Sequence, residues 1–246
     1  IFWGDHGSNS LVGTDGDDLF DGAGGADDFD GAGGDDTLVI FSYKDYFEIK
    51  TAGGITKIYG DSYVNYYDYS TAYWYYGDQS RMINIETIEF IDGSLALDTT
   101  LPSENIIWGT SSDEDIAVTS GDDLIDSAGG NDKIIDPGGD DTLAIFSEMA
   151  NFEVMTVAGL SKIYGTTNVS GLGAVYYQDT IRLINVETVA FADESITLDT
   201  TLPSGVSVST VYWGTSSGED ITSSDEGDLI DSAGGSDDIN GKGGDD

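Results

Sequence analysis

The chain contains no cysteine, three prolines and one histidine, and only eight lysines and arginines against forty-seven aspartates and glutamates. Without thiols it can form no disulfide, no thiolate metal site and no cysteine nucleophile. With His6 as the sole imidazole, the nitrogen and sulfur ligands that zinc and copper sites favour are missing as well. A net charge of -39 leaves too few basic groups to hold nucleic acid or an anionic membrane surface. No run of about eighteen apolar residues is present to span a bilayer, and the opening IFWGDHG has neither the charged nor the apolar region of a signal peptide. The natural complement of so much acid is a cation.

What the chain does have is apolar material, 39% hydrophobic and 11% aromatic, which is too much for a disordered acidic tail. Its 246 residues suffice for one to three domains with a buried core. The acid is also ordered in sequence. Cut in nines, residues 4–39 read GDHGSNSLV, GTDGDDLFD, GAGGADDFD and GAGGDDTLV, with Asn9, Asp18, Asp27 and Asp36 at the sixth place and Leu11, Phe20, Phe29 and Leu38 at the eighth. The same phase returns over 109–144 and again over 214–246.

A second kind of segment separates these blocks and is duplicated too. FSYKDYFEIKTAGGITKIYG (41–60) matches FSEMANFEVMTVAGLSKIYG (146–165), and RMINIETIEFIDGSLALDTTLP (81–102) matches RLINVETVAFADESITLDTTLP (182–203). Alternating apolar and polar residues broken by AGG and DG predict short strands and hairpins, and no stretch keeps a helical period. Trp3, Trp108 and Trp213 precede the three blocks at a spacing of 105. This predicts a tandem array: module 1 over 1–102 (block 4–39, strand segment 40–102), module 2 over 103–203 (block 109–144, segment 145–203) and a truncated module 3 over 204–246 (block 214–246). The chain stops at GGDD, where both earlier modules continue into TLVIF or TLAIF, so it reads as a window on a longer array.

The nonapeptide has a chemical logic. Glycines at its first places permit left-handed or strained turns that aim carbonyl oxygens inward, and the aspartate adds a hard anionic oxygen. A short strand follows with one apolar residue pointing inward. Two nonapeptides complete a flattened coil, so every second aspartate stacks on the same side at about the 4.8 Å interstrand spacing. Such a stack repels itself unless a cation intervenes. Several carboxylate and carbonyl oxygens in a flexible cage suit calcium better than magnesium, which demands tight octahedra. No calcium loop of the helix-loop-helix type is in register.

These blocks resemble the RTX, or haemolysin-type, calcium-binding repeat GGxGxDxUx. The resemblance implies an all-β fold in which nonapeptides wind into a right-handed parallel β-roll with calcium between turns, the rolls alternating with the strand segments. By position it implies metal carboxylates at Asp18, Asp27, Asp36, Asp123, Asp132, Asp141, Asp228, Asp237 and Asp246. Asp18 would stack with Asp36, Asp123 with Asp141 and Asp228 with Asp246. The other stack pairs Asp27 with Asn9, Asp132 with Glu114 and Asp237 with Glu219, and these departures from aspartate predict a weaker, altered or empty site. RTX proteins leave the cell unfolded by type I secretion, which implies an extracellular location.

Other features take plainer readings. Arg81 and Arg182, the only arginines, are structural ion-pair partners, and His6 faces solvent in a loop. Asp92, Asp98, Asp193 and Asp199 serve as turn and cap residues or bind further calcium. The cluster Tyr63, Tyr66, Tyr67, Tyr69, Tyr73, Trp74, Tyr75 and Tyr76 either offers a surface for glycans or a protein partner, or packs over its own module. No nucleophile triad or phosphate loop is present, and a metal-binding stack needs its carboxylates ionised, where an acid/base pair needs one protonated. The expectation is therefore a non-enzymatic, calcium-stabilised repeat region of a secreted or cell-surface protein: an adhesin, surface layer or filament, contacting neighbouring modules or identical subunits. The alternatives are an accessory or secretion domain of a type I-secreted enzyme or toxin, and a carbohydrate-binding module.

Overall fold

A computed structural model describes residues 1–60, 62–64, 73–75, 80–102, 105–169 and 175–246. Apart from three single turns of 3-10 helix, its regular structure is all strand, and no helix among the described residues is long and apolar enough to cross a membrane.

Each nonapeptide contributes one strand of three or four residues near its seventh to ninth places: Ser10–Val12, Leu19–Asp21, Asp28–Asp30 and Thr37–Ile40 in the first block. The length follows from the sequence, since glycines and aspartates interrupt the chain before a longer ladder can form. Consecutive strands lie in different sheets. Strands two nonapeptides apart pair in parallel, with Phe2 opposite Phe20 and Phe20 opposite Leu38 in one sheet, and Leu11 opposite Phe29 in the other. The eighth-place residues meet between the sheets as the core. Phe20, Phe29 and Leu38 are fully or almost fully buried, with Phe20 stacked on Phe2 at 5.1 Å and edge-on to Phe29 at 6.0 Å.

The corners are tight. A Cβ on Gly25 would lie 2.5 Å from the carbonyl oxygen of Gly7, one coil below, so the fourth place of that nonapeptide admits nothing larger than glycine. The second place behaves differently from expectation. Ala23 (φ 59) and Ala32 (φ 68) take the left-handed conformation that glycine would take at less cost. Each is held there by the aspartate two residues earlier: the Ala23 N–H donates to Asp21 Oδ1 and the Ala32 N–H to Asp30 Oδ1, both at 2.9 Å.

The segments that alternate with the blocks in sequence share their sheets in space. Ser80–Ile83 adds in parallel to Asp28–Asp30, with Met82 opposite Phe29, and Thr87–Phe90 adds in parallel to Thr37–Ile40, with Ile88 opposite Leu38. Residues 80–90 are thus one more coil of the winding, written without the glycine-aspartate signature, and Asn84 (φ 54) supplies its left-handed corner. The antiparallel hairpin Phe47–Ala52 and Ile55–Gly60 extends the second sheet, and Gly93–Ala96 closes the first. The second block repeats the plan through Asn105–Trp108, Asp115–Ala117, Asp123–Asp126, Lys133–Ile135 and Thr142–Ile145, followed by Val175–Ile184 and Thr188–Phe191. Its core has Ile125 and Ile134 where the first has Phe20 and Phe29, and keeps leucine at Leu143. Over 211–240 the third block forms two two-stranded parallel sheets.

Consecutive repeats touch through a small core of their own. Ala52 and Ile55 of the first hairpin pack with Leu124 and Ala144 of the second block and with Phe146 just after it. Beside them the Lys57 ammonium meets Asp126 at 2.6 Å and lies 4.0 Å from the centre of the Phe146 ring, with Lys57 and Asp126 both 1% exposed. Arg81, directly across the strand from Lys57, makes a two-pronged bond to Asp28 at 2.7 Å and stacks on Trp108 at 4.3 Å. The same contacts recur one repeat on, as Lys162 with Asp231 and Arg182 over Trp213.

Candidate metal centre

The sixth-place residues form two hydrogen-bonded ladders. Each carboxylate accepts the backbone N–H of the sixth-place residue eighteen positions earlier: Asn9 donates to Asp27 at 2.9 Å, Asp18 to Asp36 at 2.7 Å, Glu114 to Asp132 at 3.0 Å, Asp123 to Asp141 at 2.6 Å, Glu219 to Asp237 at 3.0 Å and Asp228 to Asp246 at 3.2 Å. The twelve positions named from the nonapeptide phase fall in one repeated setting, six as backbone donors and six as carboxylate acceptors. Asn9, Glu114 and Glu219 keep that setting, each accepting the N–H of the residue four before it, from Asp5, Thr110 and Thr215. Burial differs along the ladders: Asp27, Asp36, Asp123, Asp132, Asp141 and Asp228 are buried, whereas Asp246 is exposed.

Two further carboxylates join the ladders that the nonapeptide phase does not mark. The Asp36 N–H donates to Glu86 Oε2 at 2.7 Å and the Asp141 N–H to Glu187 Oε2 at 2.8 Å. Glu86 and Glu187 sit at the corner of the unmarked coil, fifty and forty-six residues downstream of their partners. A third addition is Asp136. Where the first block has Gly31 at this place, the second has an aspartate, buried and held by Asn185 Nδ2 and the Gly138 N–H. It brings oxygens of Asp123, Asp136 and Asp141 within 4.8 Å of one another. The only sequence signal was a glycine place filled by an acid.

These residues fit a hard cation on the chemistry of their own atoms. One oxygen of Asp27, Asp36 and Asp141 receives the ladder N–H, while Oδ2 of each is buried without a hydrogen-bond donor. A buried charged oxygen without a partner costs several kcal/mol, on the order of 3 or more, unless it is protonated or meets a cation. Burial, followed by the charges of Asp28, Asp5 and Asp21, pushes the Asp27 carboxyl up to about 6, against the Asn9 N–H that favours ionisation. Burial and the neighbouring Asp136 push Asp141 up to about 8. Burial likewise raises Asp36. The donor set is oxygen throughout, with no thiol or imidazole, which is the set that calcium accepts.

The sign of the pH dependence follows. With no divalent cation, the folded chain holds protons on Asp27 and Asp141 well above the ordinary carboxylate value of 3.8, and the unfolded chain does not. Between those values the folded state binds more protons, so the stability these two groups contribute is fully present below about pH 4 and falls as pH rises toward 8. Melting of the metal-free chain is expected to show a midpoint that falls steadily from about pH 4, with little folded chain left near neutral pH; a flat or rising midpoint contradicts the burial of these oxygens. Added calcium is expected to flatten the profile and release protons.

Four further acids singled out in the sequence cap turns. Asp92 and Asp193 accept the Lys44 and Met149 N–H groups, and Asp98 and Asp199 those of Thr100 and Thr201, as turn caps. Arg81 has the expected carboxylate partner, but Arg182 donates to the Gly214 carbonyl at 2.9 Å instead. The reason is local: Lys133 stands where Asp28 stands in the first block, and pairs with Asp115. His6 is exposed, with its Nδ1 3.1 Å from the Ala23 carbonyl oxygen. Of the tyrosine cluster, the backbone pairs Tyr63 with Trp74 in a two-stranded ribbon; its side chains lie outside the described residues, so neither reading of it is decided.

No protein-family model matches this chain, and no curated protein matches it. Among solved structures it is similar to the extracellular lipase LipA from Serratia marcescens, with 12% identity and a TM-score of 0.20 over 74% of this chain and 37% of that one. The chain spans little more than a third of that lipase, and a likeness this slight assigns neither a family nor an activity.

Proposed function

We propose that this chain is a calcium-rigidified structural repeat region of a secreted or cell-surface protein, such as an adhesin, surface layer or extracellular filament, with no catalytic role of its own. In this reading the two-sheet winding is an RTX-type right-handed parallel β-roll. The sixth-place residues, joined by Glu86, Glu187 and Asp136, hold the metal.

The observation that carries the reading is the recurrence of a buried, donorless Oδ2 at Asp27, Asp36 and Asp141. Bound calcium would supply the positive charge that lets neighbouring carboxylates ionise together. The chain's residues do the rest. The ladder N–H groups orient each carboxylate, the eighth-place side chains keep water from the inner faces, and the Lys57 and Arg81 contacts fix one repeat against the next. Because the ligands converge only in the folded state, the metal would drive folding by mass action, and millimolar calcium outside a cell suits sites with Kd of about 10⁻⁴ to 10⁻³ M.

The test of the structural role is electron microscopy of producing cells, labelled with antibody to this chain. Label along filaments, sheets or fibrils outside the cell is expected. Label confined to the cell interior sinks the proposal.

A further inference from the structure

The face that each repeat presents to its predecessor recurs three times in this chain, around Asp21, Asp126 and Asp231, and is occupied at the last two. In the second module Leu124 is 0% exposed, inserted over the hairpin turn at Gly53, and Phe146 is 7% exposed under Lys57. The residues 105 positions earlier carry the same chemistry in the open: Leu19 is 37% and Phe41 63% exposed, and Trp3 is 67% exposed where Trp108, under Arg81, is 39% exposed. Asp21 matches Asp126 and Asp231. Its Oδ1 holds the Ala23 N–H as Asp126 Oδ1 holds that of Ala128. Asp126 and Asp231 each have a lysine; among the described residues no lysine or arginine reaches Asp21.

The occupied junctions also say what the open face accepts. Lys57 and Arg81 are directly opposed across antiparallel strands, as are Lys162 and Arg182. Like charges in that position repel. Among the described residues each pair meets an aspartate and a tryptophan of the next repeat, Arg81 is also paired with Asp28 of its own repeat, and Arg182 also donates to the Gly214 carbonyl. The two surfaces are therefore complementary in charge as well as in apolar shape.

We propose that the face formed by Trp3, Leu19, Asp21 and Phe41 is a docking site for one kind of partner: the end of another module of this type, presenting an antiparallel strand pair with lysine and arginine opposed as Lys57 and Arg81 are. The lysine meets Asp21 and lies over Phe41, and the arginine stacks on Trp3. This deepens the tandem-array reading and rests on it. Both lysine-arginine pairs of this chain are already engaged, so the partner is a further module, in the same polypeptide or in another.

The test is a chain in which a copy of residues 1–105 is joined in frame before Ile1, reproducing the spacing of the existing junctions, studied in calcium beside the original chain. Asp21→Asn keeps the Oδ1 that holds the Ala23 N–H and removes only the charge. In the original chain it is expected to leave the melting midpoint unchanged. In the downstream copy of the extended chain it is expected to lower the midpoint about as much as Asp126→Asn does in the original. Hydrogen exchange at Leu19–Asp21 is expected to slow at least tenfold on extension. An Asp21→Asn effect that is the same in both chains, unchanged exchange, or an added copy that melts independently or fails to fold overturns the proposal. Asp126→Asn is the control for the underlying array: if it too is silent, the coupling between repeats fails, rather than the assignment of the open face.

Discussion

Removing calcium with EGTA is expected to abolish most of the β-sheet circular dichroism of this chain, and millimolar calcium to restore it. The magnitude can be set from the donorless oxygens. A site with Kd of about 10⁻⁴ to 10⁻³ M, bathed in about 10 mM calcium, stabilises the folded state by roughly 1.4 to 2.7 kcal/mol. One such site at each of Asp27, Asp36 and Asp141 gives roughly 4 to 8 kcal/mol together, as much as the whole stability of many domains. Without the metal those oxygens must either take up protons or repel one another, and a chain of charge -39 has little else to oppose the repulsion. Calorimetry in calcium and in chelator reads the difference directly. An unchanged spectrum and an unchanged melting midpoint would end the calcium reading.

The second large effect is expected at the junction between repeats. Lys57→Met leaves Asp126 buried without its countercharge, and breaking a buried ion pair in this way costs about 3 to 5 kcal/mol. Burial already lowers the proton affinity of Lys57, with Asp126 acting against that trend, so the two charges hold each other in place. The double variant Lys57→Met, Asp126→Asn is expected to recover most of the loss, because asparagine keeps the Oδ1 that holds the Ala128 N–H and needs no countercharge. Denaturant titration of the two variants separates these outcomes. A single substitution costing under about 1 kcal/mol would mean that the pair is not sealed from water.

Much of this architecture is legible in the sequence because it is local and periodic. The nine-residue phase places Phe20, Phe29 and Leu38 in the core and Asp18, Asp27 and Asp36 in one setting, since every coil meets the same neighbours at the same distance along the chain. What escapes the pattern is non-local. Glu86 looks like one acid among many in INIETIEF, and only the pairing of Thr87–Phe90 with Thr37–Ile40 carries it to Asp36. Lys57 and Asp126 lie sixty-nine residues apart, with no motif joining them. Asp136 looks like a lapse of the glycine rule, and its meaning emerges when the fold sets it beside Asp141. Glycine, conversely, is over-read at the second place: Ala23 and Ala32 manage the left-handed turn because Asp21 and Asp30 tie their N–H groups down.

The late position of Glu86 also sets an order of events for a chain that emerges amino end first, from a ribosome or through a pore. The block 4–39 can leave complete, yet the coil that ends its winding and the carboxylate that takes the Asp36 N–H are still threaded behind it until residue 90 has cleared. Until then the upper edge of both sheets is open, with strand-pairing groups exposed. Each repeat therefore closes in one late step, when its last coil arrives, and folding of the emerging chain becomes a series of discrete latching events about a hundred residues apart.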